Sequence, residues 1–237
     1  MATFVLIHGS MHGAWCWRDL EPALEKRGHH VLSVDLPCED PAAGLAEYAQ
    51  VVIDALEAVP RDLVDGEPLV FVGHSLGSRT VPVVADRYPS ARMVFLCSVP
   101  TPLGPVDPEQ FAGMVTPDYA QATFESRPEG SRRIAAEDAR ELFFHDCDPG
   151  LATWAASRLR WQSDRPLAEP SPLTRWPDRP TRIVIALGDR VARPDWLEEE
   201  ATRWTGGEAP ITMPGGHSPM LAQPERLAEI LASTLPD

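Results

Sequence analysis

The pentapeptide Gly73-His74-Ser75-Leu76-Gly77 places a serine between two glycines, each two residues away. A serine hydroxyl is a weak nucleophile until a base takes its proton. Acyl-transfer chemistry meets that need by presenting the serine on a sharp turn between a strand and a helix. Such a turn requires glycines, because a strand and a helix can approach behind the serine only where no Cβ intervenes. The plain alternative is an ordinary serine in a glycine-flanked turn. The nucleophile reading therefore needs an acid and then a histidine further along the chain.

His217 is the one histidine after His145, and it lies in "MPGGHSPM", a glycine-rich loop before the last helix. Asp189 closes "TRIVIALGD", an apolar run that reads as a buried strand. Both side chains then stand at the same edge of a sheet as Ser75. Otherwise Asp189 is a turn or cap residue and His217 a surface histidine. Asp107, in "PLGPVDPEQ", competes for the acid's role. Strand-end placement favours Asp189, and the prolines around Asp107 suit a loop. A tetrahedral intermediate needs two amide N–H groups. Leu76, directly after the nucleophile, supplies one, and Ser10 in "HGSMHGAW" is best placed for the other. His8 and His12 precede the nucleophile and are expected to shape that loop by hydrogen bonds.

The elements that must position these groups follow from hydrophobic periodicity. Runs at 3–9, 29–37, 68–75, 91–99 and 181–189 are apolar almost throughout, as strands covered on both faces are. Helical patterns lie between them, at 15–27, 45–59 and 76–88, which is the signature of a parallel sheet wound with helices. Pro82 is the weak point of the third helix, since a proline past the first turn removes a hydrogen bond. From about Pro100 to Pro180 the alternation stops and helix and loop are expected. A helix at 194–204, a short strand at 209–213 and a helix at 224–235 complete a single α/β domain over 1–237, with residues 101–180 as a cap inserted in it. Trp15, Phe111, Phe124, Phe143, Phe144, Trp154 and Trp161 can wall an apolar substrate pocket there, or form the cap's own core.

The composition narrows the partners. In 237 residues, 43% hydrophobic content provides for a large core, and a net charge of -14 repels phosphate backbones and anionic lipid surfaces. Nucleic acid and membrane partners are not expected, and no apolar run approaches the roughly 20 residues that cross a bilayer. Met1 runs straight into "TFVLIHG" without the pattern of a secretory signal, so a cytoplasmic location is expected. Cys16, Cys38, Cys97 and Cys147 form no CxxC pair and read as free thiols. His145-Asp146-Cys147 cannot easily converge on one ion, so it reads as structural. No metal and no cofactor are implied.

Taken together, "FVLIHGSMHGAWCW", "GHSLG" and "GGHSPML" resemble the α/β-hydrolase superfamily, and within it the small group of plant-type methyl esterases, hydroxynitrile lyases and related bacterial esterases. The resemblance covers essentially the whole chain and is loose in the insertion, where "ELFFHDCDP" is the shared stretch. It implies Ser75 as nucleophile, Asp189 as acid, His217 as base, and Ser10 and Leu76 as oxyanion amides. Ser78 stands where glycine is commoner in that group. The lyase branch uses a threonine where Gly9 stands and a lysine where Ser218 stands, so ester hydrolysis by an acyl-enzyme is expected, with Gly9 leaving room for the attacking water. Thioester or lactone cleavage, a tailoring step on a polyketide-like product, a lyase reaction, and a receptor without turnover are the other readings.

Overall fold

The computed structural model describes residues 1–60 and 67–235. Nine strands are described: β1 (Thr3–Ile7), β2 (His30–Val34), β3 (Leu69–His74), β4 (Ala91–Leu96), β5 (Phe124–Ser126), β6 (Ser131–Ile134), β7 (Gln162–Ser163), β8 (Thr181–Ala186) and β9 (Ile211–Met213). Six of them form one sheet in the order β2-β1-β3-β4-β8-β9, every pair parallel. The helices that cover it include α1 (Leu20–Glu25), α2 (Leu45–Ala58) and α3 (Thr80–Ala85) from the first half of the chain. Beyond β4 come α4 (Pro108–Met114), α5 (Pro117–Ala120), α6 (Ala136–Leu142), α7 (Pro149–Ala156) and α8 (Arg165–Ala168). After β8 follow α9 (Pro194–Trp204), α10 (Pro219–Ala222) and α11 (Pro224–Ser233). None of the described helices is long and apolar enough to cross a membrane.

Alternation along each strand sends side chains to opposite faces. Phe4, Leu6, Val70, Val72 and Val94 join one apolar cluster, which includes Leu20, Leu24, Leu227 and Leu231 of α1 and α11. Val5, Ile7, Phe71 and Met93 join the other, with Val52, Val84 and Leu197 of α2, α3 and α9. Phe4, Phe71 and Phe95 are fully buried. Burial on both faces is why these runs show no polar alternation, and truncating one such phenylalanine to alanine typically costs about 3–5 kcal/mol.

Two differences from the periodicity have local causes. The helix expected over 76–88 is split: Ser75–Arg79 is a 3-10 turn, and α3 begins only at Thr80. Pro82 therefore lies in the first turn of α3, where a backbone N–H has no helical acceptor anyway, so the proline is tolerated. The insertion is also more than helix and loop. Within it β5, β6 and β7 form a separate antiparallel sheet, with Phe124 opposite Ile134 and Ser131 opposite Ser163. These strands are two to four residues long and carry charges, as in Ser131-Arg132-Arg133-Ile134, too short for a periodic signal.

Candidate active site

In register, Ile7 lies opposite Gly73, His74 opposite Leu96, and Ala186 opposite Met213. The carboxyl ends of β1, β3, β4, β8 and β9 therefore form one edge, and in open parallel sheets ligands bind at that edge. Ser75 follows β3 directly with φ of 49°, a left-handed angle that costs a non-glycine residue free energy. The flanking glycines are compelled by contact. A Cβ on Gly73 would stand 2.5 Å from Val81 Cγ2 and 2.6 Å from Ser78 Cα, and one on Gly77 would strike the carbonyls of Ile7 and His8. Ser78 is accommodated because its hydroxyl donates to the Gly73 carbonyl at 2.7 Å.

His217 and Asp189 meet in the interior. His217 Nδ1–H donates to Asp189 Oδ2 at 2.7 Å, with the two residues 2% and 5% exposed. The other carboxylate oxygen accepts the amides of Val191 and Ala192 at 2.7 and 3.0 Å. Asp189 is thus both a turn-forming residue and the partner of the histidine. Such saturation of both oxygens holds the buried carboxylate in one orientation. The two loops are also tied by the Gly188 amide, which donates to the Gly215 carbonyl at 2.8 Å. Asp146 Oδ2 accepts the Gly216 amide at 2.7 Å, and the His145 ring lies against Gly216. That places His145 and Asp146 as shapers of the histidine loop. Asp107 is exposed and caps α4 by accepting the Glu109 amide at 2.8 Å.

His74 is a positioning residue that motif reading overlooks. Its Nε2–H donates to the His217 carbonyl at 2.8 Å, joining the nucleophile turn to the histidine loop. The ring is fully buried, and burial holds its pKa well below the ordinary value. His74, Cys97 and His217 approach each other closely enough to hold an ion. Nε2 of His74 and Nδ1 of His217 donate to oxygen, and the nitrogens left facing this cluster are Nδ1 of His74 and Nε2 of His217. Cys97, with φ of 51°, directly follows β4 beside Asp189, and burial pushes its thiol pKa up.

The loop after β1 is set by the two early histidines. His8 Nδ1–H and the His12 amide donate to the Gly9 carbonyl at 2.8 and 3.3 Å, while His8 Nε2 accepts the Leu36 amide at 3.0 Å. A trans peptide is planar, so fixing the Gly9 carbonyl also fixes the Ser10 N–H on the opposite side. His12 Nδ1–H donates to the Ser10 carbonyl at 2.7 Å. A Cβ on Gly9 would lie 2.7 Å from His74 Nδ1 and 3.0 Å from Ser75 Cβ. Space for water is therefore not what the glycine provides: the nucleophile turn itself fills that space.

These buried imidazoles make stability depend on pH. Burial pulls His8 down to about 4 and His12 down to about 3 from an ordinary 6.5. Between those values the unfolded chain binds more protons than the folded one, so stability falls as pH drops below about 6.5. By pH 5 each histidine is expected to cost about 2 kcal/mol. Thermal midpoints measured from pH 7.5 to 5 should fall steeply in the parent protein and less steeply in His12→Gln. Parallel curves would contradict this account.

One cavity opens at this edge and is lined by Ser75, His217, Ser10 and Leu76 together with Cys97. Of the aromatic residues expected to wall it, Phe111 lines it, joined by Tyr119 and Trp196. The others do not line it, although the Phe143 ring centre is 5.7 Å from that of His217. Phe143 and Phe144 are buried with their ring centres 5.5 and 5.8 Å from that of His12. Trp15 meets Trp154 edge-on at 5.5 Å, Phe124 packs on Tyr119, and Trp161 lies under Arg127 at 3.9 Å. Aromatic count locates apolar material; packing decides which ring faces the cavity.

The pattern of the alpha/beta hydrolase family matches residues 4–230. The chain belongs to that family. This family member is similar to a pyrethroid hydrolase of Sphingobium wenxiniae, at 29% identity over 96% of the chain and 85% of the relative. It is 37% identical to norfluorocurarine synthase 1 of a Strychnos species over 105 residues, a match spanning 40% of the chain and 38% of that relative's length. The fold is shared with crystalline polyneuridine aldehyde esterase, with a TM-score of 0.78, 20% identity and 98% of each chain covered.

Proposed function

We propose that this alpha/beta hydrolase cleaves carboxylic esters of small, largely apolar molecules through an acyl-enzyme, without a cofactor and in the cytoplasm. The observation that carries the reading is the buried 2.7 Å His217–Asp189 bond beside the cavity into which Ser75 is turned. In this mechanism His217 Nε2 takes the proton of the Ser75 hydroxyl as Oγ attacks the ester carbonyl. The amides of Leu76 and Ser10 stabilise the oxyanion. The C–O bond to the alcohol breaks as His217 returns the proton to the leaving oxygen, and water then repeats the sequence on the acyl-serine. Asp189 keeps Nδ1 protonated and stabilises the imidazolium. Similarity to a pyrethroid hydrolase over nearly the whole chain agrees with this chemistry. A panel of p-nitrophenyl and methyl esters tests it. Turnover of short esters is expected, and inert protein across the panel would overturn the reading.

The lyase reading is disfavoured by two positions. Gly9 has no room for a side chain, and Ser218 is fully buried with no partner for its hydroxyl among the described residues. A cyanohydrin lyase needs a hydroxyl at the first and a positive charge at the second to stabilise departing cyanide. Mandelonitrile cleavage is therefore expected to stay at the buffer rate. Gly9→Thr should lower esterase kcat/KM by about tenfold or more, because its Cβ displaces His74 or Ser75. Rapid release of cyanide by the parent protein, or full esterase activity in Gly9→Thr, would contradict this.

A further inference from the structure

Arg79 closes the 3-10 turn that begins at Ser75 and lines the same cavity. It is 5% exposed. Its Nη2 donates to the carbonyls of Gly104 and Glu169 at 3.1 Å each, which braces the segment after β4 against the end of α8. A brace would account for the residue if the rest of the guanidinium were also satisfied. It is not, because Nε and Nη1 are buried with no acceptor among the described residues. Glu169 attracts the guanidinium, but its carboxylate is bound to the Leu45 amide and to Arg165 Nε. Burial accordingly holds the Arg79 pKa below its ordinary value. A buried cation whose donors lack a carboxylate is costly to keep, and an incoming anion relieves that cost.

The remainder of the lining points the same way. Arg132 of β6 also lines the cavity, with Nε 3.1 Å from Asp164 and its guanidinium 5.4 Å from the Phe124 ring centre. Among the described residues, no aspartate or glutamate lines this cavity, although acidic residues outnumber basic ones 35 to 21 in the chain. Arg79, with two donors lacking an acceptor among the described residues, and Arg132, held by Asp164, put positive charge on the wall of this cavity in an acidic protein. Thr101 and Gln110 add neutral polar groups to the same wall. We propose that Arg79, supported by Arg132, is an anion subsite that selects esters carrying a second, free carboxylate. The proposal rests on Ser75 as the nucleophile, and it gives that reading a substrate class: an apolar ester that carries one free carboxylate.

The test is a ratio of kcat/KM between matched esters. One pair is mono-p-nitrophenyl glutarate and p-nitrophenyl valerate, with the charge on the acyl side. The other is 4-carboxyphenyl butyrate and phenyl butyrate, with the charge on the alcohol side. In the parent protein one pair should favour the charged ester by about tenfold or more, the scale of a charge-assisted hydrogen bond. Arg79→Met should bring that ratio to about one, Arg79→Lys should keep part of it, and Arg132→Met should reduce it less. Ratios at or below one in both pairs, or a ratio unchanged by Arg79→Met, overturn the subsite while neutral-ester turnover leaves the hydrolase reading standing. Should no ester be cleaved, titration of Ser75→Ala protein with glutarate decides the matter separately. Saturable binding weakened about tenfold or more by Arg79→Met supports the subsite, and absent or unaltered binding rejects it. If Arg79→Met does not fold, the parent ratio and Arg79→Lys carry the test.

Discussion

Ser75→Ala is expected to lower kcat on p-nitrophenyl esters by on the order of 10⁴-fold or more while the thermal midpoint stays near that of the parent. The size follows from what the hydroxyl does. Without Oγ no acyl-enzyme forms, and the surviving cavity and oxyanion amides can only help water attack directly. The fold should persist because Gly73 and Gly77, which permit the close approach of β3 and the following turn, are unchanged. Turnover above about a tenth of the parent value would remove Ser75 from the mechanism.

Asp189→Asn is expected to cost on the order of 10²- to 10⁴-fold in kcat, and Asp107→Asn less than about twofold. Asp189 Oδ2 accepts the Nδ1–H of His217, and Oδ1 accepts two backbone amides. An asparagine cannot satisfy both sides with oxygen. If its oxygen stays on the amides of Val191 and Ala192, its NH₂ faces Nδ1 and favours the tautomer with the proton on Nε2. That tautomer cannot take a proton from Ser75. Asp107 is itself exposed and caps the start of α4, a task that asparagine performs about as well. Steady-state kinetics of both variants check the ranking, and the reverse order would place the acid after β4 instead of after β8.

Ser75 and Asp189 are legible in the sequence because each follows a strand with a long apolar run, and His217 because a glycine pair precedes it after the short β9. The strands themselves are legible for the same reason, since burial on both faces leaves no polar interruptions. Arg79 is not, because an arginine in a helical stretch ordinarily reads as a solvated one. Its closeness to Ser75, at the end of the turn that the serine begins, is the signal that could have associated it with the nucleophile's cavity. His74 hides inside the motif, since its partner is a backbone carbonyl 143 residues away. The small sheet of β5 to β7 escapes periodicity because its strands are too short to alternate. Trp15, Phe143, Phe144, Trp154 and Trp161 show the limit of composition: the chain contains enough rings for a pocket, but their facing is decided by contacts with His12, with one another and with Arg18, Arg127 and Arg158.

The central claim, that Ser75 is an activated nucleophile at this cavity, is tested most directly by a fluorophosphonate and intact-protein mass spectrometry. The account predicts one adduct per chain, mapped to the peptide containing Ser75, formed in step with loss of esterase activity and absent from Ser75→Ala. An adduct on another residue, or full ester turnover in protein that takes up no label, would contradict it.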